Sequence, residues 1–363
     1  MSDANNSRMV PPKYGFRYIP VRTPASDGFY MPAEWAPHER CWMAWPRLKS
    51  LWGQALDEAK LAYAEVARTI AGFEEVVMLT HEQEIDEAAN MCGPAVKVLP
   101  THVEDSWTRD SGPTFVTNCR GEVAGVDWVF NAWGHFYDEK TTDESMALNI
   151  LSNLGMRRYV APFILEGGSI HVDGEGTLIT TEQCLLDPNR NVGLTKSDFE
   201  ELFSAYLGVS KVIWLGDGLD GDDTNGHVDI VATFVRPGVV LIQSCDDPQD
   251  PNKKIYEENM RRLELACDAA GRPLEIVTVP QPARVDYEDE RLDLSYVNYY
   301  VANGAVIIPA FGDPNDAVFR ETMRRLYPNR KLVSIDSLSI FKGGGGIHCI
   351  TQQQPAGPFK PPF

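Results

Sequence analysis

The sequence predicts an α/β domain built as a pseudo-symmetric ring of about five similar units. Each unit contains two short apolar runs around a Gly or Asp turn, an amphipathic helical pattern and a further apolar strand. The polar residues that open the hairpins are regularly spaced. The spacing is 56 residues from Asp110 to Glu166, 61 from Glu166 to His227 and 122, two further units, from His227 to Cys349. Equivalent positions in such a ring would meet at its centre.

The hairpins and helices of these units follow one another along the chain. The hairpins are PTFVTNCRGEVAGVDWVF from 113, SIHVDGEGTLITTEQ from 169, HVDIVATFVRPGVVLIQS from 227, SYVNYYVANGAVIIPAF from 295 and the terminal GIHCITQQQ from 346, with RCWMAW at 40–45 in an opening unit. Helical patterns span 54–71, 143–154, 195–207, 253–270 and 315–326, and strands such as KVIWL and LEIVTV follow helices. Identity between the units is negligible, so the repeat is one of pattern.

Length and composition are those of an ordinary globular protein. The 363 residues are 43% hydrophobic and 23% charged, and no run approaches the ~18 apolar residues of a membrane helix. We interpret residues 1–27 as a polar tail without the apolar core of a signal peptide, and residues 28–363 as one catalytic domain in a cytoplasmic protein. The seven cysteines are scattered and never spaced C-x-x-C, which argues against disulfides and a structural zinc site.

The charge balance restricts the partners. Lys and Arg total 33 against 52 Asp and Glu, and the formal charge of -19 disfavours nucleic acid and anionic membranes. It favours the approach of small cations. Acidity can also serve solubility alone, so it becomes informative only beside a cation-binding site.

The segment TNGHVDIVATF supplies an acid/base pair. On a strand, side chains at i and i+2 share a face, so His227 and Asp229 are predicted to project together. A structural histidine is the alternative. A second copy, SIHVDGEGTL, contains His171, but Asp173 precedes a glycine and is typical of a hairpin turn. We therefore favour His227.

Three other motifs have competing interpretations. DSGP resembles a serine protease segment, but no other feature of that class accompanies Ser111. Glu166, between an apolar run and two glycines, favours burial beside a cation. GGGG is not followed by the Lys and Ser or Thr of a phosphate loop. On a strand, His348 and Cys349 would point to opposite faces, so we expect no metal there.

Convergence of Cys349, His227 and three carboxylates, Asp110, Glu166 and Asp229, would define a chemistry. Neighbouring carboxylates raise one another's pKa unless a cation lies among them, and a planar guanidinium suits paired carboxylates. A thiolate could attack the guanidinium carbon, and His227 could protonate the departing ammonia and then activate water. This reaction needs no cofactor.

Seven segments together resemble the guanidine-modifying enzymes of pentein fold, and among them the agmatine deiminases. The segments are FYMPAEWAPHERCWMAWP, DSWTRDSGPTF, DWVFNAWG, LEGGSIHVDGEGT, DTNGHVDIVATFVRPGVVL, SYVNYYVANG and GGGGIHCITQQQP. The similarity runs from about residue 28 to 355. As a set, these segments are far more specific than any one of them alone.

The resemblance implies a five-bladed α/β propeller of ββαβ units. It also implies conversion of agmatine and water to N-carbamoylputrescine and ammonia, a step toward putrescine. Cys349 would be the nucleophile, His227 the acid/base, and Asp110, Glu166 and Asp229 the guanidinium ligands. We further expect Trp107, Trp133 and Gly346 to contact the substrate.

Ile230 and His135 depart from the family's usual residues, which leaves the substrate's distal part open. Another guanidino compound, such as an arginine-like molecule or peptidyl arginine, is one alternative. Amidino transfer and non-catalytic guanidine binding are others. The sequence does not decide whether the chain forms a homo-oligomer.

Overall fold

The computed structural model describes residues 22–135 and 142–357, without the side chain of His135. Within these ranges the strands form five small sheets, numbered here as blades, and one short ribbon. Blade 1 contains Gln352–Pro355, His38–Ala44, Glu75–Thr80 and Val96–Pro100; blade 2 contains Phe29–Tyr30, Thr114–Asn118, Val123–Val129 and Arg157–Ile164. Blade 3 contains His171–Val172, Thr177–Thr181 and Lys211–Leu215; blade 4 contains Ala232–Arg236, Val239–Ser244 and Glu275–Pro280; blade 5 contains Tyr300–Ala302, Ala305–Ala310 and Lys331–Asp336; the ribbon pairs Asp286–Tyr287 with Glu290–Arg291.

Each blade repeats one pattern of strand pairing. In blade 4, Ala232–Arg236 pairs antiparallel with Val239–Ser244, and after a helix Glu275–Pro280 joins in parallel. This is the predicted order of hairpin, helix and strand, and it confirms the five-bladed α/β propeller. The longer helices are Leu56–Ala71, Ile85–Cys92, Met146–Asn153, Lys196–Leu207, Asn252–Glu264 and Asn315–Leu326. Four-residue helices are Lys49–Trp52, Thr108–Ser111, Glu182–Leu185 and Leu338–Phe341, whereas Ala132–His135 is a turn with positive φ at its first three residues.

Local sequence explains where the helices begin and end. Lys196–Leu207 starts at a reciprocal capping box between Thr195 and Asp198. The pattern over 253–270 overestimates its helix, because Asp268 accepts the backbone N–H groups of Ala270 and Arg272, both at 2.9 Å, and forms a separate turn. No prediction covered Ile85–Cys92.

The apolar core is divided into five clusters, each between two successive blades. Between blades 4 and 5, for example, Leu241 and Ile308 share a cluster with Phe319 from the helix Asn315–Leu326. The cluster between blades 5 and 1 joins Ile307 to Met43 and closes the ring. Apolar burial therefore holds each blade against its neighbours and leaves the axis to polar groups.

The closing blade is completed by the end of the chain. Gln352–Pro355 pairs antiparallel with His38–Ala44, with Gln352 opposite Trp42. The sequence predicted a strand from residue 346, but residues 347–350 form a turn and the strand begins only at Gln352. None of the helices in the described ranges has both the length and the apolar character to cross a bilayer.

Candidate active site

The predicted site residues lie on short turns, each just before the first inner strand of a blade. The prediction of strand geometry was wrong here, since His227 precedes a 3-10 turn, Val228–Ile230, and Cys349 lies within the turn at 347–350. The turns carry Asp110 in Thr108–Ser111, Glu166 before Gly167–Ser169, His227 and Asp229 at Val228–Ile230, and Cys349.

Three of these side chains converge on Gly168. A Cβ atom built on Gly168 would lie 2.6 Å from Nδ1 of His227, 2.9 Å from Oδ1 of Asp110 and 3.0 Å from Oδ2 of Asp229. A larger residue would therefore collide with all three. The turns of blades 2, 3 and 4 meet at this point, as the regular spacing in the sequence predicted.

Cys349 is buried with 7% of its surface exposed. Its Sγ lies 3.5 Å from Oδ2 of Asp229, and the side-chain amide of Asn298 donates to the sulfur at 3.2 Å. Its backbone carbonyl accepts the N–H of Arg109 at 3.1 Å, which ties the thiol's turn to the turn that carries Asp110. The thiol is thus held against a carboxylate by contacts from two other blades.

The glycine run leaves room for the thiol and its neighbours. A Cβ atom on Gly345 would lie 2.7 Å from Cζ3 of Trp107 and 3.2 Å from Sγ of Cys349. On Gly346 it would lie 2.4 Å from Oδ1 of Asn298. Bare backbone is therefore required where the chain passes between the thiol and an indole ring.

Burial and negative charge keep the thiol protonated. Burial, followed by the charges of Asp229 and Asp110, raises the pKa of the Cys349 thiol well above its ordinary value. The Asn298 contact opposes this rise but does not overcome it. A cation bound beside the sulfur would favour the thiolate that nucleophilic attack needs.

His227 lies between two carboxylates. Its Nδ1 is 3.8 Å from Oδ2 of Asp110, and its Nε2 is 3.8 Å from Oε2 of Glu166. Burial opposes protonation, but Asp110 and the contacts with Cys184 and Glu166 raise the pKa of His227 well above its ordinary value. His227 is therefore protonated near neutral pH and can donate a proton to a leaving group.

Glu166 is fully buried with a cationic partner, as the sequence favoured. Nε of Arg190 donates to Oε1 of Glu166 at 2.6 Å, while Oε2 has no hydrogen-bond partner. Burial would raise the pKa of Glu166, but His227 and Arg190 keep it below its ordinary value. Arg190 also donates to the carbonyl of Thr224 at 2.9 Å and so anchors the loop before His227.

The two carboxylate oxygens of Asp229 have different surroundings. Oδ2 lies 2.8 Å from Nδ1 of His348 and 3.5 Å from the Cys349 sulfur, whereas Oδ1 is buried without a partner. The expectation that His348 and Cys349 point apart was wrong, because the turn at 347–350 directs both toward one carboxylate oxygen. Burial would raise the pKa of Asp229, but His348 lowers it.

A cleft leads from the surface to the sulfur. Trp133 donates from Nε1 to Oδ2 of Asp110 at 2.9 Å, and its backbone has a positive φ of 51°. Trp107 stacks on Trp52 with ring centroids 5.7 Å apart. Gly346 is not among the residues that line the cleft, so its contact with substrate stays a prediction. The cleft is lined by Leu51, Trp107, Asp110, Trp133, Asp223, Thr224, Gly343, Gly344 and Cys349.

Two residues set aside in the sequence have structural roles. Asp173 accepts the N–H groups of Glu175 and Thr177 at 2.8 and 2.9 Å, which confirms it as a turn residue. Ser111 Oγ donates to the carbonyl of Trp107 at 3.0 Å within its helical turn. Ile230, which departs from the family's usual residue, is buried in the apolar cluster between blades 3 and 4 and is not among the residues that line the cleft. The side chain of His135 lies outside the described residues.

The contribution of blade 5 to the site was not predicted from the sequence. Asn298, on the turn before Tyr300–Ala302, contacts the thiol, and its Oδ1 accepts the backbone N–H of His348 at 2.9 Å. The repeat offered a signal, since SYVNYYVANG opens a hairpin as the other site segments do. Arg190 and Glu34 carry no comparable local signal.

Two groups of metal-type ligands occur among the described residues. In one, both ring nitrogens of His348 already face carboxylates. In the other, Arg190 occupies one oxygen of Glu166. We assign no metal to either. Their ligand atoms lie within 4.8 Å of one another and belong to Glu34, His171 and His348, and to Glu166, Cys184 and His227.

A profile of the Porphyromonas-type peptidyl-arginine deiminase family matches residues 30–355. The chain belongs to this family. Its relatives narrow the comparison to agmatine deiminases. It is 43% identical over 358 residues to the agmatine deiminase of Ectopseudomonas mendocina, covering 92% of this chain and 97% of that protein. It is 46% identical over 335 residues to a Legionella pneumophila protein provisionally named agmatine deiminase, covering 92% and 96%.

A solved structure gives the same comparison in three dimensions. The agmatine deiminase of Enterococcus faecalis superposes with a TM-score of 0.89 at 37% identity. The match covers 93% of this chain and 99% of that one. Fold and sequence therefore agree over nearly the whole described chain.

Proposed function

We propose that the protein hydrolyses agmatine to N-carbamoylputrescine and ammonia, with Cys349 as the nucleophile. One observation carries the proposal: a buried thiol, an imidazole and three carboxylates converge below a cleft. Three of their atoms, Oε2 of Glu166, Nε2 of His227 and Oδ1 of Asp229, are buried without hydrogen-bond partners. Buried polar atoms without partners are costly, and a guanidinium supplies donors for the two carboxylate oxygens.

In the proposed ground state, the guanidinium lies among Asp110, Glu166 and Asp229. Its charge offsets the repulsion between the carboxylates and lowers the pKa of the nearby thiol, which releases its proton to solvent. The resulting thiolate of Cys349 faces the guanidinium carbon. Substrate binding and nucleophile activation are thus one electrostatic event.

The reaction then proceeds in two displacements. The sulfur forms a bond to the guanidinium carbon, and the C–N bond to one terminal nitrogen breaks as His227 donates a proton to the departing ammonia. The S-alkylthiouronium left on Cys349 is attacked by water, which gives its proton to His227. The C–S bond breaks as the second proton of that water passes to the sulfur, and the ureido product and the free thiol remain.

The cleft favours an amine over an amino acid at the distal end of the substrate. Asp223 lines the cleft, and burial, with Asp222 and Glu290, raises its pKa, so the site gains from a neighbouring cation. No arginine or lysine occurs among the described residues that line the cleft. An α-carboxylate would therefore lack a cationic partner there, whereas the ammonium of agmatine would pair with Asp223.

The test is ammonia release from agmatine, free arginine and peptidyl arginine. Wild-type protein is expected to turn over agmatine best, and Cys349→Ser to release no ammonia. Asp223→Asn is expected to raise KM for agmatine more than it lowers kcat. Preference for peptidyl arginine, which the family's description suggests as a second candidate, would overturn the choice of substrate.

Agmatine binding without ammonia release by wild-type protein would instead indicate a non-catalytic guanidine-binding protein. Transfer of the amidino group to an added amine would indicate an amidinotransferase. The cytoplasmic location and the oligomeric state stay predictions.

A further inference from the structure

His348 bridges two buried carboxylates behind the candidate nucleophile. Its Nδ1 lies 2.8 Å from Oδ2 of Asp229, and its Nε2 lies 2.7 Å from Oε1 of Glu34. The three side chains are at most 7% exposed. The sulfur of Cys349 is 3.5 Å from the same Oδ2. A continuous chain of contacts therefore runs from the thiol through Asp229 and His348 to Glu34.

The two contacts define the charge of the imidazole. An ionised carboxylate only accepts hydrogen bonds, and a neutral imidazole has a single N–H to donate. Two carboxylates at 2.7 and 2.8 Å therefore require His348 to carry protons on both nitrogens. Hydrogen bonds between two charged groups are typically about 2.7–2.9 Å long, and both of these lie in that range.

The second histidine of the cluster has a different role. Nδ1 of His171 accepts the backbone N–H of Phe234 at 3.3 Å, which leaves Nε2 to face the rest of the cluster. That Nε2 lies 2.8 Å from Oγ1 of Thr233 and 3.5 Å from Oε2 of Glu34. His171 touches the same glutamate as His348, but its ring nitrogens face Thr233, Phe234 and Glu34 and not Asp229.

Arg109 completes the charge balance of the cluster. Its NH1 lies 3.4 Å from Oε1 of Glu34, and its Nε donates to the carbonyl of His348 at 3.3 Å. Two cations, Arg109 and the His348 imidazolium, thus offset Glu34 and Asp229. Other elements bring His227, Cys349, Asp110 and Asp293 toward Asp229.

Building on the proposed function, we propose that His348 is a positioning residue for the reaction. Anchored on Glu34, its imidazolium keeps Asp229 ionised and fixes Oδ2, so that the free Oδ1 is available to the guanidinium. The backbone N–H of His348 also donates to Asn298, whose amide contacts the sulfur. One residue therefore sets the position of both the thiol and its neighbouring carboxylate.

The pKa shifts of His348 and Asp229 agree with this geometry. Burial and Arg109 would lower the pKa of His348, but Glu34 and Asp229 raise it above its ordinary value. Conversely, burial would raise the pKa of Asp229, but His348 lowers it. Removing the imidazolium should let the pKa of Asp229 rise.

The experiment compares the pH dependence of kcat/KM for agmatine in wild type, His348→Gln and His171→Gln. His171→Gln is the matched control, because both histidines are buried and contact Glu34. Without the imidazolium, Asp229 stays protonated to higher pH, so the acidic limb of the His348→Gln profile should move upward. Activity on that limb should fall about tenfold for each unit by which the pKa of Asp229 rises, and should recover at higher pH.

The outcomes separate positioning from simple structural support. Equal loss of kcat/KM at every pH in His348→Gln, or the same displacement in His171→Gln, would overturn the proposal. If His348→Gln does not fold, Glu34→Gln decides: it keeps the imidazole with one carboxylate and should move the acidic limb in the same direction by less. An acidic limb that does not move in Glu34→Gln would also overturn the proposal. Failure of wild-type protein to act on agmatine would instead contradict the proposed function.

Discussion

Two buried clusters in this molecule contain the same kinds of side chain, and they differ in how well their polar atoms are paired. The closure cluster lies where blade 5 meets blade 1, and the active-site cluster lies where the turns of the blades converge. The closure cluster consists of the buried His38, Cys41, Glu74 and Tyr300 with the half-buried Asn303; the active-site cluster consists of Cys349, His227, Asp110, Glu166 and Asp229.

In the closure cluster the histidine and glutamate are fully paired. Nδ1 of His38 lies 3.1 Å from Oε1 of Glu74, and Nε2 lies 2.8 Å from the carbonyl of Glu34. Oε2 of Glu74 accepts the N–H of Asn303 at 2.8 Å, and Tyr300 donates to Oε1. Such a network fixes the contact between two blades, and its histidine and glutamate have no unpaired polar atom left to bind a ligand.

The active-site cluster leaves partners missing on Glu166, His227 and Asp229. Both clusters bury a thiol, and burial is the largest cause that raises the pKa of Cys41 and of Cys349. Neither the residue types nor the raised thiol pKa therefore distinguishes the structural cluster from the functional one. The grouping of three unpaired buried atoms around one thiol does, because a single bound molecule could satisfy them together.

Replacing the histidine of each cluster in turn, His227 and His38, is the strongest test of this comparison. His227→Gln should reduce kcat by ~10²- to 10⁴-fold, the range for loss of a general acid and base. Asp110 and Glu166 keep other hydrogen bonds, so unfolding should change less than in His38→Gln. Ammonia release and urea unfolding measure the two effects. Turnover close to wild type in His227→Gln would contradict the assigned role.

His38→Gln should show the opposite pattern. It removes the imidazole that faces Glu74 in a buried pair, and breaking such a pair costs about 3 kcal/mol in free energy of unfolding. The urea midpoint should fall, while kcat per folded molecule stays close to that of wild type. A large loss of kcat with unchanged stability would mean that the closure cluster also takes part in catalysis.

The sequence predicted the parts of the fold that depend on local pattern. The helix at 315–326 has the predicted bounds, and the hairpin from 227 became Ala232–Arg236 and Val239–Ser244, because alternating burial and turn residues are local signals. The polar residues that open the units were predicted for the same reason. Their turns were mistaken for strands, since apolar residues on both sides continue a strand-like pattern.

Pairings between distant segments could not be predicted from one sequence. Glu34 and His348 are 314 positions apart, and nothing near either residue indicates the other. Arg190 is only 24 positions from Glu166, but its segment has no regular pattern that fixes its direction. These contacts depend on the closed ring, in which apolar clusters between blades bring separate turns together.

The pH dependence of alkylation of the two buried thiols, Cys349 and Cys41, would sharpen the comparison between the two clusters. The pKa of Cys349 is raised, so its thiolate fraction should still increase above pH ~8.5, where an ordinary cysteine is half ionised. Iodoacetamide labelling of Cys349 should therefore gain up to about tenfold per pH unit in that range. Peptide mass spectrometry, with Cys349→Ser as the blank, separates it from Cys41 and the exposed Cys119. A rate that levels off near pH 7 would contradict a raised pKa.

The smallest predicted effect concerns space beside the sulfur. Gly345→Ala places a methyl 2.7 Å from the Trp107 ring, which is stacked on Trp52 and cannot move freely. Displacing the ring or the thiol by a fraction of an ångström should lower kcat/KM by about tenfold, since small misplacements at reacting groups are costly. Gly216→Ala is the control, because its methyl meets neighbours only at 3.5 Å, an ordinary contact distance. If both variants kept wild-type kcat/KM, the narrow passage beside Cys349 would have no catalytic importance, and unpaired atoms alone would distinguish the two clusters.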